Sequence, residues 1–429
     1  MKQMLMLSVL SVLAAVGALA EPFWALLLYY FLAVLRPQFL WDWALPADVR
    51  WSLAAAGMVF LGTLLNLPRV MSRARPNVLL ILTAVFGGLL LVSCLAASNP
   101  GLAMSWGADF GKIILMAVLA GLLIHRPLQL TALAAAILIA TAYIAFEVNH
   151  LYLTRGGRLD IFHTGFGGLD NNGAGLMLAM GLPFAYVFAT GYDGPYRLAV
   201  RAAAMLTPAV IAHAIMLTYS RGAMLAALLG AAWLAVCHRP RHHAAAGLLA
   251  AGVVIAVLAG PEIRERFAST ATFHQDDSAQ ARLTTWKIGW DLAWQRPLTG
   301  HGIRNSRLLM QSYDAELDGR TIHSLYFQMA ADSGIPAVAV FCTILALAWW
   351  RCGQTAAANP AMAPLGRACQ AALLVYAVGG VFLSVEVFEL AWLIIAMAGV
   401  MPVLAREDAD AIEEADTLDV TWEGKVQPA

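Results

Sequence analysis

Three side chains stand apart from their apolar surroundings: Arg221, Arg282 and His323. Arg221 follows Thr218-Tyr219-Ser220 and precedes Gly222-Ala223, with almost no loop between two apolar segments. An arginine at that depth is costly unless paired or wetted, so it either lines a polar cavity or snorkels to the interface. Arg282 opens a series continued by Trp286, Trp290 and Trp294, and this four-residue spacing places all of them on one side of a helix. His323 stands where a polar interval gives way to a new apolar run, His323-Ser324-Leu325-Tyr326-Phe327-Gln328. Guanidinium groups pair with phosphate oxygens through a fork of donors and stay charged at any working pH. An imidazole titrates near neutrality and can take a proton from a hydroxyl. Together the three could bind an anionic leaving group and activate a nucleophile. Plainer roles compete: Arg282 could meet lipid phosphates from an amphipathic surface helix, and His323 could be a membrane-boundary residue.

Weaker candidates lie in other polar intervals. His301 sits between Gly300 and Gly302, with the same boundary-residue alternative as His323. Arg158 shares an interval with Glu147, Asn149, His150, Arg155, Asp160 and His163. Asp170 or Asn171 can cap the helix that begins at Leu169-Asp170-Asn171-Asn172-Gly173, and Asn171 could also line a cavity. Glu386 and Glu389 flank a late turn, where simple hydration explains them. The run His238-Arg239-Pro240-Arg241-His242-His243 reads as a basic topology signal. No phosphate-binding loop, dinucleotide fingerprint, serine elbow or zinc-helix motif occurs. With no carboxylate pair at metal-ligand spacing, we expect neither metal nor cofactor.

The elements that must position these residues are membrane helices. Of 429 residues, 60% are hydrophobic and 13% charged, and the mean hydropathy is +0.70. A soluble domain carries about 25% charged residues. The net charge of +0 gives no reason to expect a nucleic-acid partner. Thirteen apolar stretches run between residues 3 and 404, the last three being 325–350, 366–384 and 388–404. The first resembles a secretory signal, with Lys2 and Ala18-Leu19-Ala20 before Glu21, and reads as a retained membrane segment. Arg69, Arg73 and Arg75, then Arg126, Arg197 with Arg201, Arg239 with Arg241, and Arg351 with Arg367 fall in alternate connections. The positive-inside rule puts those connections in the cytoplasm and 37–50, 97–105, 148–170, 218–221 and 261–322 outside. Counting back from them leaves Lys2 outside; we favour a cytoplasmic N-terminus. The five cysteines lie in or beside apolar segments, as packing residues.

The expected fold is therefore an all-α polytopic membrane protein of about twelve transmembrane helices, with one large extracytoplasmic loop containing an amphipathic helix. That helix should start at Asp277 or Ser278 and end at Pro297 and Gly300. Residues 1–260 would form an N-terminal transmembrane bundle and 261–322 a large periplasmic loop. Residues 323–405 would add C-terminal transmembrane helices, and 406–429 an acidic, disordered cytoplasmic tail.

Three motifs in order resemble the O-antigen ligase and polymerase superfamily: Leu217-Thr218-Tyr219-Ser220-Arg221-Gly222-Ala223, the Arg282–Trp286 helix with Arg296-Pro297-Leu298-Thr299-Gly300-His301-Gly302, and His323-Ser324-Leu325-Tyr326-Phe327-Gln328 with Gly334. Ser324 stands where the most typical form has Asn. Leu35-Arg36-Pro37-Gln38, Leu45-Pro46 and Arg50-Trp51 further resemble O-glycosylation ligases found beside exosortase systems. The resemblance implies a GT-C-type glycosyltransferase in the bacterial inner (cytoplasmic) membrane, multi-pass, with its active site facing the periplasm. Such an enzyme moves a glycan from undecaprenyl pyrophosphate to lipid A core or protein Ser/Thr, inverting and without metal. It implies His323 as the catalytic residue and Arg221 and Arg282 as the pyrophosphate ligands. A polymerase would share the leaving-group site. A lipid-linked sugar flippase would instead need charges through the bundle at mid-membrane.

Overall fold

Short polar residues and prolines decide where helices begin. Asn77 accepts a hydrogen bond from the Leu80 N–H at 3.1 Å, and Asn99 from Leu102 at 3.1 Å. Each fills an orphan donor of a first helical turn. Pro100 and Pro127 take positions where a missing N–H costs nothing. The computed structural model describes residues 2–46, 49–155, 161–240, 277–317, 319–386 and 388–423, with backbone alone at 162–163, 277–279 and 411–423. Among the described residues the only extended pairing is an isolated bridge, Phe166 to Leu169.

The main helices are α1 (Lys2–Ala20), α2 (Phe23–Leu35), α3 (Trp51–Leu65), α4 (Leu67–Arg73), α5 (Val78–Leu95), α6 (Pro100–Leu123), α7 (Pro127–Thr154) and α8 (Asn171–Gly181). They continue as α9 (Phe184–Gly191), α10 (Arg197–Leu217), α11 (Arg221–Cys237), α12 (Asp277–Gln295), α13 (Leu325–Ser333), α14 (Ile335–Ala358), α15 (Ala363–Gly379) and α16 (Glu389–Glu423). Among the described residues nine segments are long and apolar enough to cross a membrane, and α3 with α4, bent by 86°, would make a tenth. Length alone thus falls short of the expected twelve. The helices α11 and α15 have 17 residues each, and 244–260 lies outside the described residues. The core is a knot of aromatic rings: Trp392 of α16 lies 5.2 Å from Phe86 of α5 and 6.0 Å from Phe341 of α14.

Helix connections gather at two opposite ends. At one end Arg69 donates to Ala20 O at 3.0 Å, Arg73 pairs with Glu21 at 3.1 Å, and Arg351 donates to Gly399 O at 2.9 Å. Arg75 pairs there with Glu407. At the other end the 296–306 turns tie onto the α5–α6 connection: Ser98 N–H donates to His301 O at 2.8 Å, and Asn99 N–H to Asn305 Oδ1 at 2.7 Å. The alternation read from arginine positions thus corresponds to a physical separation into a basic end and a second end.

Four expectations change. The segment 325–350 is not one helix but breaks at Gly334, whose φ is 86°, and only Ile335–Ala358 has the length of a span. Glu147, Asn149 and His150 belong to the last turns of α7 rather than to a loop. The acidic tail is helical to Glu423 as a continuation of α16. Finally, α1 reaches the basic end with its C-terminus, where Asn66 Nδ2 donates to Leu19 O at 3.1 Å. A helix of 19 residues is about 28 Å long, so Lys2 begins at the second end, opposite to the N-terminal side favoured from sequence.

Candidate active site

At the second end, α8 and α11 meet through their first turns. Asp170 caps α8 by accepting from the Gly173 N–H at 2.7 Å, and Ser220 caps α11 by accepting from Ala223 at 3.3 Å. The two caps are tied together. Ser220 Oγ donates to Asn172 Oδ1 at 2.8 Å, and Asn171 Nδ2 to Thr218 O at 3.1 Å. Tyr219 holds a left-handed φ of 54°, which lets the chain reverse between α10 and α11. Arg221 is therefore fixed as the first residue of α11, half-buried and engaged by its surroundings. A Cβ on the adjacent Gly222 would sit 3.4 Å from Phe382.

The loop helix α12 closes the opposite side. Thr285 Oγ1 donates to Ile322 O at 3.0 Å, and Trp286 Nε1 to His323 O at 3.3 Å. The Trp286 ring lies 5.7 Å from Phe327 and 6.2 Å from Phe382. Phe382 is thus approached both from the Arg221 turn and from the helix that carries Arg282. Another face of α12 buries Ile288 and Leu292 against Met310, Leu317, Ile322 and Ala331, a small core separate from the main bundle. Burial of that face by the hydrophobic effect holds α12 in place, leaving Arg282 half-buried one turn before Trp286.

His323 occupies a strained turn, with φ at 54°. Hydrogen bonds on both sides hold it. Leu325 N–H donates to Gly380 O at 2.7 Å, and Ile322 N–H to Gln328 Oε1 at 3.0 Å. The residue is exposed, and its ring Nε2 lies 3.3 Å from Thr321 Oγ1. Loss of water there pushes its pKa below the ordinary value, and the Arg282 cation pushes it further. Asp170 opposes the shift, while Arg320 and Arg304 add to it. The helix that carries Arg282 is joined to this turn by the Thr285 and Trp286 hydrogen bonds to the backbone of Ile322 and His323. A histidine held neutral at pH 7 is ready to accept a proton.

Behind this turn lies a buried polar hub that sequence reasoning missed. Asp332 accepts from Arg304 N–H at 2.9 Å, Ser306 N–H at 2.9 Å and Gln328 Nε2 at 2.7 Å. Its backbone O accepts from Ser93 Oγ at 2.7 Å, joining α5 to the site. Burial raises the Asp332 carboxyl above the ordinary range, and the donors from Ser306 and Gln328 oppose that rise. Arg304, itself left-handed at φ 59°, lies over the Trp106 ring at 5.2 Å and reaches Glu386 at 3.4 Å. Glu386, expected in water, is buried at 5% exposure.

Among the weaker candidates, Asn171 serves the α8–α11 tie. His301 is buried and its Nε2 donates to Leu292 O at 3.1 Å, which pins α12 rather than lining an opening. Arg158 and Asp160 lie outside the described residues, as does the side chain of His163.

Residues 206–342 match a family model described as O-antigen ligase, a stretch that contains Arg221, Arg282, Arg304, His323 and Asp332. This match supports the O-antigen ligase superfamily. Residues 1–163 match a family of unknown function (DUF5935). No match to a curated protein was found. At this level the O-antigen ligase domain supports a multi-pass membrane protein of ligase or polymerase type that transfers glycosyl groups, with a lipid-linked glycan and an acceptor as partners in general. The ligase match begins after Asp170 and stops before Glu386, so both carboxylates lie outside it.

Proposed function

We propose that the chain is an inverting, metal-independent glycosyltransferase that moves a glycan from undecaprenyl pyrophosphate to a hydroxyl acceptor, lipid A core or protein Ser/Thr, at the periplasmic face of the inner membrane. The observation that carries this reading is the joining of His323 to the Arg282 helix: α12 hydrogen-bonds the carbonyls of Ile322 and His323, one on each side of the His323 Cα, and the Arg282 charge acts on the imidazole. The acceptor oxygen attacks the anomeric carbon while the bond to pyrophosphate breaks on the opposite side. His323 takes the hydroxyl proton, and the bonding electrons leave with pyrophosphate. Arg221 and Arg282 stabilise the charge growing there, more in the transition state than before it. Fixed guanidinium groups in a low-dielectric site can fill the role that a divalent cation has elsewhere. The charged residues around His323 lie at one end of the bundle, which favours transfer over movement across the membrane.

The test uses the purified chain, a defined lipid-linked oligosaccharide, a panel of lipid and peptide acceptors, and chelator throughout. Product should form with wild type and be lost in His323→Ala. Wild-type rates in His323→Ala would remove that residue from the mechanism. Elongation of one lipid-linked glycan by another would mark a polymerase, and leaflet scrambling without product a flippase.

A further inference from the structure

The Arg304–Glu386 pair is not used by the mechanism above, yet it is built into the same end of the bundle. A hydrogen-bond route connects it to the His323 turn. Arg304 Nη2 approaches Ser384 O at 3.5 Å, Ser384 Oγ donates to Gln328 Oε1 at 3.3 Å, and that oxygen also accepts from Ile322 N–H at 3.0 Å. The Arg304 backbone is strained at φ 59° and held there by the Asp332 carboxylate at 2.9 Å. A strained residue persists when its surroundings over-determine it, and such residues gather at ligand sites.

The pair is also incomplete. The Arg304 and Glu386 side chains are exposed by only 16% and 5%, and their one mutual contact is a long 3.4 Å. Arg304 Nε and Glu386 Oε1 are buried and make no hydrogen bond among the described residues. Buried polar atoms are nearly always satisfied, because an unmade bond there costs about 1–3 kcal/mol. A single group that met both atoms would have to offer an acceptor to a guanidinium and a donor to a carboxylate. Phosphate accepts only, and Glu386 repels it. An ammonium group donates only, and Arg304 repels it. A hydroxyl does both. Arg304 lies over one face of the Trp106 indole, and the exposed remainder of that ring adds apolar surface of the kind that packs against the C–H face of a pyranose.

From this we infer that Arg304, Glu386 and Trp106 form a sugar subsite beside His323, where a hydroxyl of an uncharged pyranose bridges Arg304 Nε and Glu386 Oε1. The inference rests on the glycosyl-transfer reading and adds a division of labour: Arg221 and Arg282 take the anion, and the charge-compensated pair takes the neutral ring.

The test is thermal unfolding of the full-length chain in detergent, with inorganic pyrophosphate and, separately, with free glucose, galactose, rhamnose and N-acetylglucosamine. Pyrophosphate should stabilise wild type, Glu386→Gln and Trp106→Ala alike. At least one sugar should stabilise wild type and lose that effect in both variants. In the transfer assay Glu386→Gln should raise one KM about tenfold or more and change kcat less. A raised donor KM assigns the ring to the transferred glycan, and a raised acceptor KM to a sugar acceptor. Pyrophosphate stabilisation with no sugar response, or a sugar response that survives Glu386→Gln, would mean that water alone fills the gap and would overturn the subsite while sparing the parent reading. No response to pyrophosphate, together with no transfer, would count against the parent reading itself. If Glu386→Gln fails to respond to pyrophosphate because it misfolds, Trp106→Ala decides.

Discussion

The two ends of this helical bundle use arginine in opposite ways. At the basic end the guanidinium groups take backbone carbonyls and close short ion pairs: Arg351 onto Ala398 O and Gly399 O within α16, Arg69 onto Ala20 O, Arg73 onto Glu21. At the other end Arg304 Nε makes no hydrogen bond among the described residues, Arg282 acts on an exposed histidine, and Arg221 opens a helix beside Phe382. Backbone strain follows the same division. Arg36, Tyr219, Arg304 and His323 hold left-handed conformations at the site end, and Tyr196 does so at the basic end. The lesson is physical. Charge spent on backbone carbonyls and short ion pairs stabilises the fold, whereas strained backbone and unsatisfied buried groups gather where a ligand would bind.

Substitutions at the two ends should therefore fail differently. The largest effect is expected for His323→Ala, which should lower kcat by roughly 10²–10⁴ with little change in melting temperature. Next come Arg282→Gln and Arg221→Gln, each lowering kcat by about 10²–10³. Arg282→Gln carries a second signature. His323 is held below its ordinary pKa partly by the Arg282 cation, and as a base it works only when neutral. Wild-type activity should fall as pH drops through that lowered value, and removing the cation should move this acid limb to higher pH. An unmoved limb would break the coupling between the two residues. Asp332→Asn should cost about 1–3 kcal/mol of stability and lower kcat moderately, since one oxygen replaces the two that now hold Arg304, Ser306 and Gln328. The smallest effect on turnover belongs to Arg351→Gln at the basic end. It should lower stability by about 1–3 kcal/mol and leave kcat and both KM values unchanged; a loss of kcat there would erase the contrast between the ends.

Much of the helical layout was legible because apolar runs, capping asparagines and first-turn prolines act locally. The start of α12 at Asp277 and the Arg–Trp spacing along it were visible for the same reason. The break before α14 was misread, although Ser333-Gly334-Ile335-Pro336 carried a turn signal inside an apolar run. Arg304 and Asp332 were passed over, and Glu386 was assigned to water, because nothing near them in sequence marks their role. Arg304 meets a carboxylate 82 positions away, and the Asp332 backbone meets a serine 239 positions away. Only the folded chain brings such partners together. His301 misled for the converse reason: a glycine-flanked histidine looks available, yet here its ring nitrogen is consumed by a helix carbonyl.

The direction of α1 has a practical corollary for anyone handling this protein. A purification tag or fluorescent fusion placed ahead of Lys2 would emerge at the end of the bundle that carries His323, where the proposed substrates would have to approach. The same cargo appended beyond α16 would hang from the far side of the molecule, clear of traffic.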